Sequence, residues 1–353
     1  MPKNFKLNNT LIGNSEPTYI IGELSGNHGG DLNTALKLVE EAKKMNVNAV
    51  KLQTYTAETI TLNSNKEDFI LPSGNAWEDS ETLFKLYSEA YTPWEWHKPL
   101  YDKAKDLEID IFSSPFDESA VDFLEDLNTP FYKIASPEIF DIQLIKKIAS
   151  TGKPVLLSTG LAVLEDIELA LDYLRDGGCD KIVLLKCSTA YPAPFEEINL
   201  LTMTDYEKKF NVIPGISDHT EGSALPIASV ALGAKVIEKH FVFEGDETVD
   251  SFFSLNTKQF KNMVSDIRNI EKALGGISYE LTSSVEKNYW ARRSLYVSEN
   301  IKKGEQLKGK IKSVRPGYGL HPKHFDEVNS YYATQDLEVG DRLAWDVISK
   351  EKN

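Results

Sequence analysis

Short apolar runs alternate with longer amphipathic stretches along most of the chain. Residues 18–23 (TYIIGE) read as a strand. Over 31–45 the apolar positions Leu32, Ala35, Leu36, Val39 and Ala42 fall on one face of a helix. The run 49–54 (AVKLQT) is again a strand, and a polar excursion over 55–79 precedes helical patterns at 81–90 and 94–108. Strands at 109–113, 131–135, 154–158, 181–187, 212–217 and 235–240 then alternate with helices at 118–127, 141–150, 164–176, 223–232 and 257–274. Such alternation demands a parallel sheet covered by helices, so the fold class is α/β. Eight strand–helix units in about 275 residues fit a closed (β/α)₈ TIM barrel better than an open doubly wound sheet. Gly26, Gly29 and Gly30 after the first strand do not match G-x-G-x-x-G, which removes the main support for a dinucleotide-binding fold.

After Gly275-Gly276 the pattern changes. The expected organisation is a barrel over 1–276, a polar linker over 277–290 and a small domain of short strands and turns over 291–353. A half-repeat stands out in the small domain: 300–307 (NIKKGEQL) matches 336–343 (DLEVGDRL), each a turn with glycine at the tight position and leucine as the apolar anchor. A unit of about 60 residues buries little core, so it is expected to dock on its own barrel or on a partner's.

Composition narrows the function classes. With 54 acidic and 39 basic residues among 353, the net charge is −15, and 41% of positions are apolar. A disordered chain is excluded. Nucleic acid is not an expected partner, because such binding is driven by cationic neutralisation of phosphates. No stretch approaches the roughly 18 apolar residues of a membrane span, and the first residues lack the apolar segment of a signal peptide. Two cysteines, Cys179 and Cys187, are too few to staple a fold of this size, so a reduced, cytoplasmic protein is expected.

In a barrel of this type, catalytic groups come from the C-terminal ends of the strands and the loops after them. Here those ends are polar and small or ionisable throughout: Glu23, then Ser25 to His28; Lys51 and Gln53; Ser113 and Ser114; Lys133, Ser136 and Glu138; Ser158 and Thr159; Cys187 to Thr189, with Tyr191 beyond; Ser217 to His219; Glu238 to His240. A purely structural barrel has no need of that, which points to an enzyme. His219 and His240 end adjacent strands, so closure would bring their imidazoles within reach of one divalent ion. The alternative is a pair of hydrogen-bonded strand-end histidines. Glu238 shares the inward parity of His240 and is a candidate base or supporting partner. Lys51 and Lys133 lie inside strands, where a lysine needs a partner. Three readings stand open: a structural ion pair with Glu23 or Glu138, an anion site completed by Ser114, Ser136 and Ser217, or a Schiff-base lysine. His97, His321 and His324 read as packing or loop residues, His28 is ambiguous, and Cys187 reads as a small buried apolar side chain.

Taken in order, Glu23-Leu-Ser-Gly-Asn-His28, Lys51-Leu-Gln53-Thr54, Ser114-Pro-Phe116, Lys133-Ile-Ala-Ser136-x-Glu138, Ser158-Thr-Gly160, Tyr191-Pro192, Ser217-Asp-His219, Glu238-Lys-His240 and Arg315-Pro316 resemble the sialic acid synthase family over essentially the whole chain. That family condenses phosphoenolpyruvate with the open-chain aldehyde of an N-acetylated sugar, giving a nine-carbon 2-keto acid and phosphate. The resemblance implies a divalent metal, Mn²⁺ or Mg²⁺, on His219 and His240. It places Lys51, Gln53, Ser114, Lys133, Ser136, Thr189 and Ser217 at phosphoenolpyruvate, and Glu23, Asn75, Glu138, Tyr191, Asp250 and Arg315 around the sugar. Glu23, Lys51, Lys133 and Glu238 are the implied catalytic groups. The lysines would then act electrostatically, with no Schiff base, and Glu23 or Glu238 would position the attacking water. The C-terminal part resembles the family's antifreeze-like (SAF) domain, which implies a homodimer in which that domain caps the partner's barrel and Arg315 acts in trans.

Within the family, 53–56 (QTYT), 62–69 (LNSNKEDF), 91–97 (YTPWEWH) and 313–322 (SVRPGYGLHP) resemble the members that use a 6-deoxy-2,4-diacetamido hexose. Thr189 stands where bacterial N-acetylneuraminate-forming members carry Asn, which also points to a modified sugar. Apolar surface for its methyl groups is expected from Phe69, Ile70, Leu71 and Trp77. N-acetylneuraminate or legionaminate synthesis is the alternative within the family; a barrel metallohydrolase and a non-catalytic sugar-binding protein are the alternatives outside it.

Overall fold

A computed structural model describes residues 4–74, 77 and 80–352. The chain forms two compact units, Met1–Gly275 and Gly276–Asn353.

The first unit opens with a hairpin, β1 (Phe5–Leu7) and β2 (Thr10–Ile12). There follow β3 (Tyr19–Glu23), α1 (Leu32–Lys44), β4 (Ala49–Thr54), α2 (Ala57–Ile60), α3 (Leu83–Ala90), α4 (Trp94–Asp106), β5 (Asp110–Pro115) and α5 (Glu118–Asp126). The alternation continues through β6 (Tyr132–Ile134), α6 (Ile142–Ala149), β7 (Val155–Ser158), α7 (Leu164–Asp176), β8 (Ile182–Cys187) and α8 (Met203–Phe210). It ends with β9 (Ile213–Asp218), α9 (Ala224–Ala231), β10 (Val236–Val242), β11 (Leu255–Asn256) and α10 (Thr257–Leu274). Strands β3 to β10 pair in parallel in sequence order, and β10 closes on β3 with Val236 opposite Tyr19 and His240 opposite Glu23. The sheet is therefore the closed eight-stranded barrel that the alternation predicts. Helices α1, α5 and α6 begin where Asp31, Asp117 and Asp141 accept backbone N–H groups of the first turn.

Strand parity divides the apolar residues into two cores. Outward positions such as Ile20, Val50, Leu52, Ile134, Leu157 and Ile237 pack under the helices. Inward positions near the strand starts, among them Tyr19, Ala49, Phe112, Phe131, Val183 and Val236, fill the barrel together with Leu7 and Ile12 of the hairpin. Sequence periodicity did not reveal this hairpin, because each of its strands is three residues long. Its one signal is Asn8-Asn9 between two short apolar runs, with Asn8 at φ 49°. Helix α8 was also missed, since only Met203, Tyr206 and Phe210 mark its buried face. Among the described residues no helix is long and apolar enough to cross a membrane.

His97 lies behind the barrel wall, fully buried, with Nε2 2.8 Å from Thr54 Oγ1, which is itself 2.6 Å from Ser113 Oγ. Burial pulls His97 down to about 4, and His28 likewise. Between those values and the ordinary 6.5 the folded chain binds fewer protons than the unfolded one. Stability is therefore complete above about pH 6.5 and is lost as the pH falls towards 4, by about 3 kcal/mol for His97. His97→Gln is expected to lower the melting temperature at pH 7.5 and to flatten its decline between pH 6.5 and 4. Melting curves that stay parallel to wild type across that range would assign the acid limb to other groups.

The second unit holds α11 (Ser283–Glu286), β12 (Ser294–Val297), β13 (Ile311–Val314), α12 (Phe325–Val328), β14 (Tyr332–Ala333) and β15 (Ile348–Ser349). Part of the stretch expected as an irregular linker is thus a short helix, followed by a 3₁₀ turn at Tyr289–Ala291. The two half-repeats pair with each other. Ile301 and Leu337 exchange backbone hydrogen bonds of 2.9 and 2.8 Å. Asn300 Oδ1 accepts from Val339 N at 3.0 Å and Asp336 Oδ1 from Lys303 N at 2.9 Å, the same bond with the repeats exchanged. Gly304 and Gly340 sit at φ 76° and 96°, where only glycine is unstrained, and Leu307 and Leu343 are fully buried anchors.

Candidate active site

Along each inward face the apolar character stops before the strand does. On β10 the inward series runs Val236, Glu238, His240, and on β4 it runs Ala49, Lys51, Gln53. These groups surround a cavity of ≈ 380 Å³ at the C-terminal end of the barrel.

At its base is a buried charge cluster. Lys51 Nζ lies 3.0 Å from Glu23 Oε2 and 3.4 Å from Glu238 Oε1, and Lys133 Nζ lies 3.1 Å from the same Glu238 oxygen. Ser217 Oγ donates to Glu238 Oε1 at 2.9 Å, and Lys51 donates to Ser114 Oγ at 3.4 Å. Burial pushes the Glu238 carboxyl up, but Lys133 and Lys51 pull it further down, to about 2, so it is ionised. Glu23, with burial dominant over Lys51, is pushed up to about 7. Burial lowers Lys133, while Lys51, despite its burial, is raised by Glu23 and Glu238. Glu238 Oε2 is buried with no hydrogen-bond partner among the described residues.

Beside this cluster the two strand-end imidazoles meet edge-on, with ring centroids 5.3 Å apart. His219 Nδ1 is 2.9 Å from the Ser188 carbonyl, which fixes the ring. Burial and then the neighbouring His219 hold His240 well below its ordinary value, and its buried Nδ1 has no partner among the described residues. Between the two strands, Lys239 points outward and forms a fully buried pair with Asp218 at 2.6 Å, tying β9 to β10 next to both histidines.

A model of the NeuB family matches residues 38–279. The chain is 43% identical over 337 residues to the pseudaminic acid synthase of Campylobacter jejuni, covering 94% of this chain and 98% of that protein. The identity is also 43% to the pseudaminic acid synthase of Helicobacter pylori, over 95% of this chain and 99% of that one. The chain belongs to the NeuB family, the sialic acid synthases. Among solved structures, an N-acetylneuraminic acid synthetase from Leptospira borgpetersenii superposes with a TM-score of 0.71 at 30% identity, covering 82% of this chain and 95% of that one.

Most of the site residues expected for a NeuB-family chain meet at the cavity. Lys51, Gln53, Lys133, Ser136, Thr189 and Ser217 are on its wall, as are Tyr191, Asp250, His219, Glu238 and His240. Asp250 accepts a short hydrogen bond from Ser25 Oγ, and Gln53 Nε2 donates to both Glu23 Oε1 and Ser25 Oγ at 3.1 Å. Others differ from expectation. Glu23 and Ser114 are fully buried beneath the wall, where both contact Lys51 and Glu23 also accepts from Gln53. Glu138 sits in the 3₁₀ turn Pro137–Phe140, off the wall, where burial pushes it up to about 7; the partner of Lys133 is Glu238, across the barrel. Asn75 lies outside the described residues, and Arg315 is exposed in the second unit after β13.

Cys187 is buried, as expected, and also borders the cavity. Its Sγ is on the cavity wall 3.8 Å from His219 Nδ1. Burial raises its pKa, but His219 and Lys133 together bring it to about 7. Of the four residues expected as apolar surface, Leu71 and Trp77 line the cavity, whereas Ile70 is 48% exposed and Phe69 is off the wall. Sequence reasoning missed Tyr55, Phe116 and the inner face of α3. The spacing of Leu83, Leu86, Tyr87 and Ala90 was the available signal, and it reads equally well as a helix packing on a core.

Proposed function

We propose that this chain is a pseudaminic acid synthase. It joins phosphoenolpyruvate, water and the open-chain aldehyde of 2,4-diacetamido-2,4,6-trideoxy-altrose to give pseudaminic acid and phosphate. The observation that carries the reading is the pair of buried lysines held on one oxygen of Glu238 at the base of a half-apolar cavity. Two buried lysines sharing the ionised Glu238, beside a Glu23 pushed towards the neutral form, leave positive charge at the cavity base for an anionic substrate, and the likeness to pseudaminic acid synthases supports phosphoenolpyruvate as that anion.

Lys51 and Lys133 neutralise the phosphate and carboxylate of phosphoenolpyruvate through the reaction, in a preorganised site that needs no reorientation. Ser136, Ser217, Gln53 and Thr189 supply hydrogen bonds to the same substrate. C3 of phosphoenolpyruvate attacks the aldehyde carbon, and the cation that develops at C2 takes up water. Oε2 of ionised Glu238, without a partner among the described residues, orients that water, while Glu23, pushed up to about 7 behind Lys51, buffers the proton. One proton of the water ends on the hydroxyl formed from the aldehyde oxygen; the tetrahedral carbon then releases phosphate by C–O cleavage as its own hydroxyl becomes the ketone, and the second proton leaves on the phosphate. Tyr191 and Asp250 hold the sugar. His219 and His240 would carry a divalent ion, Mn²⁺ or Mg²⁺, which when bound supplies Lewis-acid polarisation of the aldehyde oxygen. Two donors are available: His240 is neutral, its Nδ1 without a partner among the described residues, and the Ser188 carbonyl on His219 Nδ1 leaves Nε2 for a ligand bond; among the described residues no third His, Cys, Asp or Glu joins them, so the ion would keep open positions for substrate and water.

The same reading takes the second unit as an SAF domain that caps the barrel of a partner copy in a homodimer, with Arg315 supplied in trans. A cytoplasmic location belongs with it, and the two free, buried thiols fit a reduced compartment.

Phosphate release from phosphoenolpyruvate, measured with a panel of 2-acetamido sugars, tests the assignment. The diacetamido-trideoxy sugar is expected to exceed N-acetylmannosamine by at least about 100-fold in kcat/KM, since each hydroxyl left unpaired against apolar surface costs roughly tenfold or more. Equal values, or a preference for N-acetylmannosamine, would move the chain to N-acetylneuraminate synthesis; a preference for the legionaminate precursor would move it to that product.

A further inference from the structure

Among the apolar residues of helix α3, Leu83, Leu86, Tyr87 and Ala90 have the spacing of a single helical face, with the half-buried Phe84 beside it. In a barrel such a face ordinarily packs on the sheet. Here all four residues line the cavity instead, while Lys85, Ser88 and Glu89 on the opposite side are exposed. The helix is fixed at its start, where Thr82 accepts from the Lys85 backbone. Leu86 and Tyr55 are buried, yet neither belongs to the apolar cores that fill the barrel and its helix layer. Tyr55 meets the Tyr87 ring edge-on at 5.7 Å and the Phe116 ring at 5.1 Å. Three separate segments, the residue after β4, α3 and the residue after β5, thus build one apolar wall that borders the cavity.

An apolar helical face turned to an open cavity suits an apolar ligand group. Resting on the reading of this cavity as an acetamido-sugar site, we propose that α3 is the element that selects the sugar. Its inner face, with Tyr55 and Phe116, receives the C6 methyl and the C4 acetamido methyl, the two apolar groups that distinguish the diacetamido-trideoxy hexose from a simple N-acetylhexosamine. Each buried methyl contributes about fourfold to binding, and a hydroxyl in its place leaves a polar group unpaired.

The test uses the full chain with Leu83→Asn, Tyr87→Asn and the conservative Leu83→Met, each with its melting temperature, and compares kcat/KM for the diacetamido-trideoxy sugar with that for N-acetylmannosamine. The ratio is expected to fall at least about tenfold in both Asn variants and to stay near wild type in Leu83→Met. The KM for phosphoenolpyruvate is expected to change less than about twofold, because the groups assigned to it lie on the strands and strand-end loops rather than on α3. Leu83 is only half-buried, so its variants test the wall even if Tyr87→Asn fails to fold. A wild-type ratio above 100 that survives in Leu83→Asn, with both sugars losing equally, overturns the proposal and leaves α3 a structural helix. A wild-type enzyme that prefers N-acetylmannosamine defeats the functional assignment instead, so the two failures are distinct.

Discussion

Lys133→Ala is expected to lower kcat/KM for phosphoenolpyruvate by about 10²–10³-fold, the loss typical of removing one preorganised charged donor from a reacting anion. The melting temperature should fall as well, because Glu238 stays ionised and buried with one cation fewer. Removing one partner of a buried pair costs about 3–5 kcal/mol, and the remaining contacts from Lys51 and Ser217 place this case at the low end. Two roles are therefore confounded in the single variant, and a second substitution separates them. In Lys133→Ala/Glu238→Gln the surplus negative charge is gone, so thermal stability should largely return while kcat/KM stays at or below that of Lys133→Ala. Recovery of both together would show that the lysine is only a structural strut. Recovery of neither would mean that Glu238 holds the barrel end together by itself through Lys51.

Metal removal should have an effect of similar size. With a chelator in excess, turnover is expected to fall by about 10³-fold or more, the value of a Lewis acid at a developing oxyanion. The fold should survive, because the two apolar cores and the Asp218–Lys239 pair hold β9 and β10 without any ion. His240→Ala should reproduce the loss and should also abolish Mn²⁺ binding in calorimetry, a readout independent of turnover. His219→Ala should do the same with a further change, since Cys187 loses the imidazole beside it. Full activity of either variant in chelator, or unchanged Mn²⁺ affinity, would show that these histidines are strand-end hydrogen-bonding groups and no more.

Much of this protein is written locally in its sequence. The alternation of short apolar runs with amphipathic stretches determines the eight units and hence a parallel, helix-covered sheet. A period of two places Lys51 with Gln53, and Glu238 with His240, on the inward face, because successive side chains of a strand point to opposite sides. The exchange of apolar for ionisable residues near each strand end marks which mouth of the barrel is chemical. The half-repeat at 300–307 and 336–343 was readable too, as turn chemistry with a leucine anchor.

Only the tertiary structure decided who pairs with whom. Lys133 could have met Glu138, five residues on, but the inward parity of its strand points it across the barrel to Glu238, 105 positions away. No local pattern carries that distance, since it arises from closure of β10 on β3. The same holds for Glu23 and Ser114, strand-end groups that closure places behind Lys51 rather than on the cavity. Helix α3 is the clearest case. Its apolar stripe is plain in the sequence, yet periodicity gives only the face and not what the face meets. That it meets a cavity, not a core, depends on where β4 and β5 end and on the Tyr55 and Phe116 rings they present, and this is fixed by packing among segments distant in the chain.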